Sequence, residues 1–237
     1  MKQENKSARE RRREESLPEG QKVAGSGNAP GEESRESDSI EVLREEFHRM
    51  LESLSFVSAD DIPRIDLYMD QVLTFMEEHL ASSARDPEHD KILTKTMINN
   101  YVKNDVLIPP VRKKYGMDHM LLLLMIYYLK SYLSIGDIQR VLEPLKAYCQ
   151  TDKSDAPKKA WSLEEIYRAV YENMEDEMLA AEKDADRQFE RAKETFQDAD
   201  PEDAGTLQKF ALIARMSTEI YWKKLFIERL LDETQSR

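Results

Sequence analysis

Apolar residues recur along this chain at helical spacing, and the recurrence breaks where proline or clusters of small polar residues intervene. Ile40, Leu43, Phe47, Met50, Leu51 and Leu54 form a first stripe, which predicts a helix from about Asp38 or Ser39 to Leu54. Pro63 punctuates. Ile65, Tyr68, Met69, Val72, Leu73, Met76 and Leu80 then predict a second helix from about Arg64 to Ala81. A shorter segment opens on Thr94, whose hydroxyl suits an N-cap. At roughly 100° per residue, Met97, Ile98, Tyr101 and Val102 fall on one side of it. Lys95, Thr96, Asn99, Asn100 and Lys103 fall on the other, as in a short helix docked by one face. Pro109 has no amide hydrogen and pushes Ile108 out of the α region, so that helix ends before it. Val106, Leu107 and Ile108 read as a short extended stretch, and Val111 to Tyr115 as the returning arm of a basic hairpin.

The run MLLLLMIYYL lies in a predicted helix from Asp118 to Tyr132. It is about half the ~20 residues that cross a bilayer, so it reads as a buried core helix. Ser134 starts another helix in an S-x-x-D capping pattern, with Ile135, Ile138, Val141, Leu142 and Leu145 facing inward. Lys130 and Arg140 are expected outside, within reach of phosphates. After a polar stretch from Ala147 to Ala160, Ser162 and Glu165 form a capping box, and Trp161 can staple onto Ile166. Ile166, Tyr167, Val170, Tyr171 and Met174 carry a stripe that thins after Met178 and resumes at Phe189, Ala192 and Phe196. One long helix and two helices broken near Ala185 fit equally well. Asp200-Pro201 is a clean new start, and Leu207, Phe210, Ala214, Ser217 and Tyr221, with Ile213, Ile220 and Leu231, continue to near the end. Two long helices joined by a short break predict an antiparallel hairpin. The expected organisation is all-α: a tail over 1–39, a helical domain over 40–147, a linker over 148–160, and a helical module over 161–237.

Composition agrees with a helical protein: of 237 residues, 40% are hydrophobic and 35% charged, with 7 Gly and 9 Pro. Four of the glycines lie before Glu32, in a stretch with almost no large apolar residues, which predicts disorder. Three adjacent arginines there (Arg11, Arg12, Arg13) are diluted by glutamates. No signal-peptide core follows, so a cytoplasmic location is expected. Cys149 is the single cysteine, which fits a reducing compartment.

Charge changes the picture locally. The formal net charge is -12, yet from Lys91 to Lys114 six cations face Asp105 alone. Phosphate attraction is screened over ~8–10 Å at ordinary salt, so this local excess outweighs the global sum. The amides of Asn99 and Asn100 can pair bidentately with adenine, and the flanking lysines suit phosphates. A solvated helix face satisfies the same pattern. From Trp161 onward nineteen acids oppose eleven bases, so this half is expected to mediate interaction or dimerisation, not to bind DNA. Tyr167, Tyr171, Tyr221, Trp222 and Phe226 read mainly as core, with an effector pocket as the other possibility.

Enzymatic chemistry finds little support. The chain has no glycine-rich phosphate loop, nucleophile elbow or cysteine cluster. His48, His79, His89 and His119 are scattered, and His89-Asp90 lacks partners at ligand spacing. Neither a metal nor a cofactor is expected.

The phrases TKTMINNYVKNDVLIPP, RKKY and MDHMLLLLMIYYLKSYLSIGDIQRVL resemble the MerR type of winged helix-turn-helix. More closely, Ile65 to Leu145 resembles a Firmicutes family called domain of unknown function 1836, whose recurrent phrases are IDLYMDQVLTFMEEHL and LTKTMINNYVKN. The MerR resemblance implies that Tyr101 is the recognition-helix tyrosine and that Asn100 stands at a basic position beside it. It also implies that Arg112, Lys113 and Lys114 are phosphate contacts of a wing that Tyr115 closes, and that Tyr115 belongs with them among the DNA-binding residues. The chain departs from that pattern in its longer polar insertion from Ser82 to Leu93, its shortened wing, and the missing glycine after the recognition helix. The expectation is a dimeric, sequence-specific regulator of transcription that reads double-stranded DNA through Lys95, Thr96, Asn99, Asn100 and Lys103. A helical adaptor that uses the same scaffold for a protein partner is the alternative.

Overall fold

The computed structural model describes residues 40–54, 56–86, 90–149, 160–172 and 174–234. The expected tail over 1–39, most of the expected linker and His89 lie outside the described residues. The chain is predominantly helical, and no described helix is long and apolar enough to cross a membrane.

Its helices are α1 (Ile40–Ser53), α2 (Met69–Leu80), α3 (Lys95–Lys103), α4 (Met117–Leu129), α5 (Ile135–Lys146), α6 (Leu163–Tyr171), α7 (Glu175–Thr195) and α8 (Pro201–Thr234). Two two-residue strands, β1 (Leu67–Tyr68) and β2 (Lys114–Tyr115), pair antiparallel, Leu67 opposite Tyr115 and Tyr68 opposite Lys114. Helix starts follow their capping residues. Thr94 Oγ1 accepts from Met97 N–H (3.1 Å) and Ser134 Oγ from Asp137 N–H (3.1 Å). Ser162 and Glu165 cap each other reciprocally, at 3.2 and 2.7 Å.

Two apolar cores result. The larger is built around α4, whose residues from His119 to Ile126 are all buried, so its all-round apolar sequence meets cover on every side. Val72, Met76 and Leu80 of α2, Ile98 and Tyr101 of α3, Ile138 and Leu142 of α5, and Leu163 and Tyr167 of α6 share this core. The smaller core joins α1 to α7 and α8 through Ile40, Phe189, Ala192 and Leu212, with Leu43 and Phe47 packed against them. Complementary charges line its seam. Arg44 binds Asp186 (2.8 Å) and Glu190 (3.0 Å), His48 lies between Asp186 (2.9 Å) and Glu182 (3.2 Å), and Lys193 binds Glu41 (2.6 Å). Gln208 donates to the Lys193 carbonyl (3.2 Å), so α7 and α8 meet as a hairpin across their short connection.

Several local readings need correction. The second helix starts at Met69, because Leu67 and Tyr68 pair as a strand and Gln71 Oε1 accepts from Tyr68 N–H (2.9 Å). Ile65 and Tyr68 are therefore exposed and outside the helical stripe. Val106 to Ile108 does not pair with the returning arm; Val106 and Leu107 are buried, and β1 is the partner of β2. Ile135, at the first position of α5, is exposed. The break in the C-terminal half falls between α6 and α7, and α7 runs through Ala185, which is buried in the smaller core. Lys130 and Arg140 are structural. Lys130 donates to the Ile92 carbonyl (2.7 Å) and lies over the Tyr127 ring (4.6 Å); burial lowers its pKa. Arg140 ties α5 to α8 through the Leu231 carbonyl and Asp232. The Cys149 thiol is pushed up to about 12 by burial, which leaves it almost wholly protonated at neutral pH.

Candidate nucleic-acid interface

The apolar side of α3 turns inward: Ile98 and Tyr101 are buried, Met97 and Val102 partly so. That fixes the opposite side outward, and Lys95, Thr96, Asn99, Asn100 and Lys103 are all exposed. The helix ends in a Schellman arrangement. Val106 N–H donates to the Tyr101 carbonyl (2.8 Å) and Asp105 N–H to the Val102 carbonyl (3.2 Å). Asp105 has φ 53°, so an aspartate occupies the left-handed position that glycine usually takes. This accounts for the missing glycine. Lys146 of α5 helps hold the strained residue, with an ion pair to Asp105 at 3.0 Å.

The basic turn is tight. Lys114 N–H donates to the Val111 carbonyl (3.0 Å), and the two residues between, Arg112 and Lys113, have φ of 52° and 64°. Positive φ at both central positions is the demand of a type I′ turn, normally met by Asn-Gly. Two long cations in these positions carry a strain on the order of 1–2 kcal/mol each, and both side chains are exposed. Such strain at an exposed turn is a reason to look for function there.

Below the turn, Tyr115 is buried rather than displayed, with its ring edge-on to His119 at 5.5 Å. It anchors the turn and has no exposed ring to offer a ligand, which corrects its place among the contact residues. His119 is a clamp: its Nδ1 accepts from Gly116 N–H (3.1 Å), and its Nε2–H donates to the Pro109 carbonyl (3.2 Å). Burial holds its imidazole below the usual range, so it is neutral at pH 7 and both bonds persist. Tyr101 is buried likewise, and its phenol pKa is raised by burial.

One chain of contacts joins the two parts. Lys95 Nζ of α3 reaches Asp70 Oδ1 (2.6 Å) in the first turn of α2, and two residues earlier the Tyr68 ring lies 5.4 Å from Lys114 Nζ. The start of α3, the start of α2 and the basic turn therefore form one exposed surface. Asp70 neutralises Lys95 in part, whereas Lys103, Arg112 and Lys113 make no ion pair among the described residues. The sequence pattern gives Tyr68, Asp70, Asp105 and His119 no part in this surface. For Tyr68 a signal existed: Gln71 three residues later marks a helix start, not a helix interior.

Residues 57–170 match the family model described as Domain of unknown function (DUF1836). No curated protein and no solved structure matches the chain. The DUF1836 segment takes in α2 to α5, nearly all of α6, both strands and the basic turn, and its limits are close to those of the larger core, Val57 to Tyr167. Helices α1, α7 and α8, which make the smaller core, lie outside it.

Proposed function

We propose that this chain is a sequence-specific DNA-binding regulator of transcription, of MerR-like winged helix-turn-helix type, cytoplasmic and working as a homodimer. The observation that supports this most is the continuous surface from the outer side of α3, past the first turn of α2, to the Arg112-Lys113 turn. In this reading Thr96, Asn99 and Asn100 meet base edges in the major groove, with Lys95 and Lys103 beside them. Arg112, Lys113 and Lys114 hold the adjacent backbone. Their contribution is electrostatic and independent of sequence, so it sets register and affinity while the amides choose the site. Asp70 leaves Lys95 when phosphate replaces it. No catalytic role is assigned.

Enrichment of fragmented genomic DNA by the intact protein at moderate salt tests this. The wild type should enrich discrete sites, and Lys103→Glu with Lys113→Glu should abolish the enrichment. Lys113→Ala alone should weaken all sites equally and reduce the salt slope of binding by about 1. Equal recovery by wild type and the double variant would defeat the reading. The adaptor alternative draws support from Asp70 and Asp105, which place carboxylates beside the cationic surface. A stoichiometric protein partner recovered without nucleic acid would favour it.

A further inference from the structure

Helix α8 has 34 residues and is packed along only part of its circumference. Ala211 and Leu212 enter the smaller core, and Arg140 of α5 grips its end at Leu231 and Asp232. Just before the first anchor Phe210 is 65% exposed, and between the anchors Tyr221 is 56%, Trp222 63% and Phe226 63% exposed. Ile213, Ile220, Leu225 and Leu230 are exposed as well. At roughly 100° per residue, Phe210, Ala214, Tyr221, Leu225, Trp222 and Phe226 share one arc of about 160°. The exposed apolar residues on that arc are Phe210, Tyr221, Trp222, Leu225 and Phe226; with ~150–250 Å² per aromatic side chain they present on the order of 600 Å². That is at the top of the ~300–600 Å² range of the largest patch on a typical monomer, a patch that is often functional, and is about three quarters of the ~800 Å² that one partner contributes to a standard interface. Among the described residues nothing covers it.

We infer that this face of α8 binds the same face of a second copy of the chain, with the two helices antiparallel and the two-fold axis between Glu219 and Ile220. Self-complementarity selects this occupant. Between Phe210 and Tyr221 the arc carries small side chains (Ala214, Thr218), and from Tyr221 to Phe226 it carries large ones (Tyr221, Trp222, Leu225, Phe226). Antiparallel pairing about that axis sets Thr218 opposite Tyr221 and Ala214 opposite Leu225. Phe210 then meets Arg229, a cation over an aromatic face. Parallel pairing would stack large on large and leave the small half empty. Charge agrees: Glu219 is paired to Lys223 and Lys224 to Glu228 (2.9 Å) within the helix, so the two copies bring no strong field of one sign together. The contact is isologous, as a closed dimer requires.

The test uses the full-length protein without nucleic acid, so its failure is distinct from failure of the DNA reading. Sedimentation equilibrium should give a dimer, and Trp222→Glu with Phe226→Lys should raise its dissociation constant by roughly 100-fold or more. Thr218→Trp, at an exposed position on the arc, should do the same by filling the slot for the partner's Tyr221 ring, and circular dichroism should show both variants folded. Spin labels on a Cys149→Ser background report orientation. At 1.5 Å rise per residue, labels at Lys223 should lie within ~25 Å of each other and labels at Glu202 roughly 50 Å apart. A monomer at tens of micromolar overturns the inference, as does a dimer indifferent to these variants. Short distances at both label sites would overturn the antiparallel arrangement.

Discussion

Helix α4 is apolar on every side and α8 carries its aromatic residues among charged ones, and the two meet opposite fates. In α4 the chain supplies its own cover: α5, α6 and β2 pack on it, α2 shares its core, and every residue from His119 to Ile126 is buried. In α8 the cover comes from α7 and α1 near one end and α5 near the other, and the aromatic middle faces outward. Apolar side chains signal that a helix surface seeks cover, but they do not say by what. For α4 the partners lie within the same chain; for α8 the inferred partner is a second copy.

Substitutions can break this contrast or sharpen it. The largest effect is expected inside: Leu123→Ala should cost about 2–5 kcal/mol in urea unfolding, whereas Trp222→Ala, measured below the dimer dissociation constant, should change stability by less than about 0.5 kcal/mol. Equal losses would mean that α8 is covered within the monomer. Next is the seam between α4 and its lid. Tyr167 Oη donates to the Val57 carbonyl (2.7 Å) from a buried position, so Tyr167→Phe should cost about 1–3 kcal/mol, while Tyr221→Phe is silent. Smaller again, Asp105→Val places a β-branched residue at positive φ and should cost about 1–2 kcal/mol by thermal denaturation.

The smallest effect expected is one of pH. Arg64, then Arg168, hold the Glu164 carboxyl at about 2 against an ordinary 4.5, within the network that pins α6 over the larger core. A folded pKa below the unfolded one gives stability that is complete above pH 4.5 and is lost as pH falls toward 2. The wild-type melting temperature should therefore fall more steeply than that of Glu164→Gln across this window. Parallel curves would show that the surface network contributes nothing measurable.

Much of α3 and its surroundings was legible in the chain. Thr94, the two-sided partition of the helix and Pro109 are local signals, and the helix bounds and exposed side chains follow from them. The turn was legible as basic, but not in its pairing. A two-residue strand has no periodicity to read, so Leu67-Tyr68 was absorbed into the neighbouring helical stripe. Tyr115 counts among the DNA contacts only through the MerR resemblance, and nothing local reveals that His119 and β1 enclose it.

What the sequence by itself determined is the set of helices, their caps, their inward sides and the cluster of cations, because these depend on residues within a few positions of one another. What only the tertiary structure decided is which helix covers which. The packing puts α1 with α7 and α8, α6 over α4, Lys130 and Arg140 in structural bonds, and Tyr221, Trp222 and Phe226 outside while Tyr167 is inside. Hydrophobic burial is non-directional, so an apolar stripe fixes that a face seeks cover and leaves the partner to long-range shape and charge.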